Sequence, residues 1–168
     1  MEAKDKYDAS SLHLAALKGH LEVVDLLLQE GANINDKDKN GYSLLHWAAQ
    51  NGRLNVVDLL LQKGSDINDK DNNGNSPLHW AAQNGRLNVV DLLLKNRADI
   101  EAKDKDGYSS LHWAALKGYL DVVDLLLKNR ADIEAKDKDG YSSLHWAAFK
   151  GQVEVVKVLL ENGANVNS

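Results

Sequence analysis

The sequence predicts an all-α solenoid: five stacked helix-turn-helix units, each with a projecting β-hairpin-like finger. Three observations predict it. The dipeptide Leu-His returns at Leu12-His13, Leu45-His46, Leu78-His79, Leu111-His112 and Leu144-His145, always 33 residues apart. Every unit carries an S-x-L-H, an Ala pair, a Gly, a Val pair and a Leu pair in that order, and four of the five open on D-x-x-G. The second helical segment, as in LDVVDLLLKN, is apolar at Leu120, Val122, Val123, Leu125, Leu126 and Leu127. That stripe is too wide for one-sided burial, so the segment needs a neighbour on each side.

On this step a single array occupies residues 1–168, with units at about 5–37, 38–70, 71–103, 104–136 and 137–168. They open near Asp5, Asp38, Asp71, Asp104 and Asp137, and Asp8 stands in the first unit where the others have Gly. The finger, ADIEAKDKDGYSS in the fourth unit, is charged and centred on a D-G turn signal. The first helix follows: Ser109 stands at its N-cap, it runs through LHWAAL, and Gly118 supplies the left-handed residue that stops it. In the third unit Pro77 directly follows Ser76, at the first helical position, where a missing N–H is no loss. The Ala pairs, Ala114-Ala115 and their equivalents, let first helices approach closely. The second helix, beyond the Gly, fills the space between neighbouring units.

This order of signals on a 33-residue period resembles the ankyrin repeat, whose turn-plus-two-helices unit usually shows T-P-L-H-x-A. The resemblance spans about residues 5–168. Two departures stand out. Ser replaces Thr at every T-P position, and Arg97 and Arg130 replace the usual Gly at the end of the second helix. A non-Gly residue in the left-handed region costs roughly 1–2 kcal/mol, so those two units are expected to be weaker there or to end the helix differently. Residues 89–115 recur without change as 122–148. Recent duplication and copying by design both account for that identity.

Composition narrows the function. The formal net charge is −5, so a basic nucleic-acid surface is not expected. No cysteine is present, which removes disulfides, thiol nucleophiles and cysteine metal sites. The apolar runs fall far short of the roughly 20 residues that span a bilayer, and the first residues, MEAKDKYDAS, contain no signal-peptide core. A cytoplasmic location is the expectation, with neither membrane nor nucleic acid among the partners.

Several patterns imitate chemistry. DKDKNG and DKDNNG open like an EF-hand loop, but the twelfth position, which must supply a bidentate Glu, holds Trp47 or Trp80. Ordinary turn chemistry explains them better. The five in-phase histidines cannot share an ion: equivalent side chains on packed helices lie about 8–10 Å apart, whereas zinc holds each ligand at about 2.1 Å. Each imidazole is expected to bond backbone in a nearby connection, a role this His also has in ankyrin-like proteins. Ser-x-x-His recurs in every unit and is explained by the unit; no phosphate loop or dinucleotide fingerprint is present. No catalysis and no cofactor are expected. Trp47, Trp80, Trp113 and Trp146 are expected to form an aromatic column at the seams between units.

The resemblance implies a protein-protein interaction module that uses finger tips and the exposed end of the first helix to line a concave side. Those positions hold Tyr42, Asn75, Tyr108 and Tyr141 at the tips, and Leu17-Lys18, Gln50-Asn51, Gln83-Asn84, Leu116-Lys117 and Phe149-Lys150 on the helices. Tyr108, Leu116, Tyr141 and Phe149 are expected to cluster over the last two units, rimmed by Lys105, Lys117, Lys138 and Lys150. The candidate partner-binding residues are therefore Tyr42, Tyr108, Leu116, Lys117, Tyr141, Phe149 and Lys150. The partner is expected to be a protein, and an engineered or designed ankyrin scaffold with no natural partner is the alternative. The end units keep LEVVDLLL and VEVVKVLL, almost the internal pattern. Exposed Leu and Val at both ends, fraying and end-to-end self-association are therefore expected.

Overall fold

The structure is a computed structural model and describes residues 9–167. Asp5 and Asp8, at the opening of the first unit, lie outside the described residues. Ten helices follow one another within them: α1 (Ser11–Lys18), α2 (Leu21–Gln29), α3 (Leu44–Gln50), α4 (Leu54–Gln62), α5 (Pro77–Gln83), α6 (Leu87–Lys95), α7 (Ser110–Lys117), α8 (Leu120–Lys128), α9 (Ser143–Phe149) and α10 (Val153–Glu161). Each odd helix packs on the even helix after it. The odd helices form one row and the even helices a second. The result is an all-α solenoid.

The rows hold together by burial of small and branched side chains. Ala48, Ala49, Ala81, Ala82, Ala114 and Ala115 have no exposed surface, which is the close approach of first helices that the Ala pairs allow. In the second row, Val56, Val57 and Leu60 and their counterparts in α6 and α8 are likewise buried. These helices carry core side chains on more than one side, as their wide apolar stripe requires.

Each first helix starts on a serine cap completed by histidine. The backbone N–H groups of Ser43, Ser76 and Ser109 donate to Nδ1 of His46, His79 and His112 at 3.0–3.1 Å, and the serine Oγ lies 2.8 Å from the same nitrogen. Histidine thus fills the place that Glu or Gln takes in the common capping box.

The fingers are turns rather than strand pairs. Among the described residues one antiparallel bridge, Lys37 to Ser43, is the trace of a hairpin. The reason lies in the first Asp of D-x-x-G. Asp38 Oδ1 accepts from the N–H groups of Asn40 and Tyr42, and Asp71, Asp104 and Asp137 do the same in their own fingers. Those N–H groups are then engaged locally instead of in a ladder. Successive fingers touch through backbone: the N–H groups of Asn72, Lys105 and Lys138 donate to the carbonyls of Asn40, Asn73 and Asp106 at 2.9–3.0 Å. A Cβ at Gly107 would stand 2.8 Å from Lys138 N, so the glycine admits the next finger as well as supplying a positive φ.

The second helices end as the substitution pattern forewarned. Arg97 and Arg130 both sit at φ 66°, in the left-handed region, where Gly31, Gly64 and Gly163 stand in the other units. The arginines adopt the glycine conformation and carry its steric cost.

Candidate partner-binding surface

The seams between units are laced by side chains that reach from one unit to the next. Because Nδ1 of His46, His79 and His112 accepts from a serine N–H, the ring proton is on Nε2. That nitrogen donates to the carbonyls of Asn75, Tyr108 and Tyr141 in the following finger at 2.9, 3.0 and 3.1 Å. The histidine bond therefore crosses a seam, a reach that local sequence does not disclose. Lys37, Lys70 and Lys103 extend Nζ to the carbonyls of Lys70, Lys103 and Lys136, and Arg53 and Arg86 donate Nε back to the carbonyls of Leu17 and Gln50. His13 Nε2 is buried without a hydrogen-bond partner, so the first seam lacks this strap.

Burial holds the imidazoles neutral. The pKa of His79 falls to about 4, first through burial and then through the charge of Lys70, and burial lowers His46 and His112 as well. With both ring nitrogens of these three residues bonded, neither remains for a metal. The D-x-x-G carboxylates are similarly engaged: beyond its two backbone bonds, each also accepts from a tryptophan, with Trp47, Trp80, Trp113 and Trp146 Nε1 donating to Asp38, Asp71, Asp104 and Asp137 Oδ2 at 2.8–3.2 Å. Burial alone would raise the Asp137 carboxyl, but the bonds from Tyr141 N–H and the Trp146 indole hold it below the usual range. Among the described residues no group of His, Asp and Glu is arranged to hold a metal ion.

An aromatic column runs along the seams with tyrosines interleaved between the tryptophans. Tyr42 lies 6.4 Å from Trp47 and 5.3 Å from Trp80, and Tyr108 stacks at 4.9 Å on Trp113 and lies 5.4 Å from Trp146. Tyr42 and Tyr108 are therefore half-buried seam residues, not free tips. Burial, and then Asp137 and Asp104, push the Tyr108 phenol up to about 12. Asn75 occupies the tyrosine position in the third finger and donates to Asp71, so it interrupts the column.

Tyr141 is 45% exposed and Phe149 72%, and both rings meet Trp146, at 5.5 and 5.8 Å. Lys150 Nζ lies 5.3 Å from the Phe149 ring centroid. Trp146 thus joins Tyr108, Tyr141 and Phe149 into one group, a role that reading the tryptophans as seam packing missed. Leu116 is half-buried and Lys117 exposed, at the end of α7. Tyr42 lies on the far side of the Asn75 interruption, beside a hollow of about 350 Å³ lined by Leu17, Asn40, Trp47 and Gln50 among others.

Paired helices in two rows, joined by turn-built fingers, define a helical-repeat solenoid with one aromatic face. The chain belongs to the ankyrin-repeat family: the model described as ankyrin repeats (3 copies) matches residues 1–71, 55–137 and 99–168. Ankyrin repeats are generally protein-interaction modules and typically non-catalytic. No curated protein matches the chain.

Proposed function

We propose that the chain is a non-catalytic array of five ankyrin repeats that binds a partner protein on the concave surface formed by its fingers and first helices. Tyr42, Tyr108, Leu116, Lys117, Tyr141, Phe149 and Lys150 supply the contacts. The observation that supports this most is the aromatic group around Trp146, where Tyr108, Tyr141 and Phe149 converge beside Lys150. Rings with few rotatable bonds and a charged rim match the core and edge of protein interfaces. Further copies of the chain are proposed as partners too, met through the ends of the array. A copied scaffold with no natural partner is the second reading, favoured by the identity of residues 89–115 and 122–148.

The test is capture of a partner on the immobilised chain, followed by calorimetry with variants. Tyr141→Ala with Phe149→Ala should weaken a concave-face partner by about 2 kcal/mol or more, as interface hot spots do, with helical content unchanged. Asn75→Ala with Gln83→Ala should cost less. Equal losses from both pairs, or the same loss from Gln62→Ala on the second-helix row, would refute the assigned face. Persistent failure to capture any protein would favour the scaffold.

A further inference from the structure

Equivalent positions along the array show what a neighbour covers. Ala16, Ala49, Ala82 and Ala115 are fully buried, yet Ala148 is exposed; Leu12, Leu45, Leu78 and Leu111 are buried, yet Leu144 is half-exposed. At Gly41, Gly74 and Gly107 an added Cβ would meet the backbone nitrogen of the next finger at 2.8–3.0 Å, whereas at Gly140 nothing lies within 4 Å. His145 joins Tyr141, Trp146 and Phe149 around an open hollow of about 250 Å³. At the opposite end Val23 is 47% exposed and Leu26 56%, where Val56, Val89, Val122 and Val155 are buried. Leu14, also exposed, stands where the other units have Trp. Both ends of the array are apolar, and they are the two halves of one seam.

We infer that the C-terminal face receives the N-terminal face of a second copy of this chain, head to tail, in the register of a sixth unit. The argument is continuity with the internal interface. Because residues 122–148 repeat 89–115 without change, Tyr141, Leu144, His145 and Ala148 offer a second copy what Tyr108, Leu111, His112 and Ala115 offer the fifth unit. On the receiving copy, Leu14, Val23 and Leu26 take the places that Trp146, Val155 and Val158 hold at the last internal seam. Tyr141 then lies on Leu14 as Tyr108 lies on Trp146. The contact is heterologous, so it does not close on itself and each addition leaves both end faces free for another copy. It shares Tyr141 with the concave-face contacts proposed above, so the variants that test it, Val23→Glu and Ala148→Glu, lie outside those contacts.

Sedimentation of the full chain tests this between about 10 µM and about 1 mM, where weak associations are read. The average mass should rise with concentration and pass beyond that of a dimer. Val23→Glu blocks one face and Ala148→Glu the other, both at positions open to solvent in the single chain; Leu160→Glu serves if Ala148→Glu disturbs the circular dichroism. Each variant alone should remain monomeric, and an equimolar mixture should return a dimer and nothing larger. A chain that stays monomeric throughout, or association that survives in either variant alone, overturns the head-to-tail assignment. The second outcome would mean that like faces pair, and the first that another occupant covers them.

Discussion

At the scale of the residue, Arg97 and Arg130 are the clearest local conflict between side chain and backbone. Both hold φ 66° with exposed side chains. A Cβ in that region costs roughly 1–2 kcal/mol, and glycine removes it while adding roughly 0.5–1 kcal/mol of unfolded-chain entropy. Arg97→Gly and Arg130→Gly should each stabilise the chain by about 0.5–1 kcal/mol. Arg97→Ala keeps the Cβ and should give no such gain. Urea unfolding midpoints of the three variants decide the matter; equal stabilisation by Ala and Gly would show that the arginine side chain, not the backbone, carries the conflict.

At the scale of the element, the first helix and the following finger are coupled through a neutral histidine. Protonating Nδ1 of His46, His79 or His112 removes the acceptor for the serine N–H and places a charge in a buried site. The folded pKa lies below the unfolded value of 6.5, so the unfolded chain binds more protons, and stability is full above about 6.5 and declines as pH falls toward the folded value. For His79, with a folded value of about 4, the loss is on the order of 3 kcal/mol. Denaturant midpoints measured from pH 7 to pH 4 should therefore fall steadily. In His79→Gln the starting stability should be lower and the decline shallower; an unchanged slope would remove His79 from the account.

At the scale of the whole molecule, stability is set by seams between neighbours. Units in the middle have two and the end units one. The first seam also lacks the histidine strap, since His13 Nε2 has no partner. Under dilute conditions, where ends are free, hydrogen exchange should be fastest in α1 and α2, slower in α9 and α10, and slowest in α5 and α6. Uniform protection along the chain would show that the array unfolds as one cooperative block in which end seams cost nothing.

Much of this architecture is legible in the sequence because it is local or periodic. Leu-His spacing, the serine caps, Pro77 at the first helical turn and the D-x-x-G turns act over a few residues, and the repeat multiplies each signal. Arg97 and Arg130 could be marked as misfits for the same reason. What tertiary structure decided lies across the seams. Tyr42, Tyr108 and Tyr141 share one sequence position, yet the first two are half-buried between tryptophans and only the third is exposed, because Trp80 and Trp146 of the following units cover Tyr42 and Tyr108, whereas no described residue covers Tyr141 in that way. His46 looks like a cap residue and is also a strap to Asn75, 29 positions on. A side chain's neighbours within its unit are written in the repeat. Its exposure depends on whether another unit stands beside it, and that is a property of position in the stack.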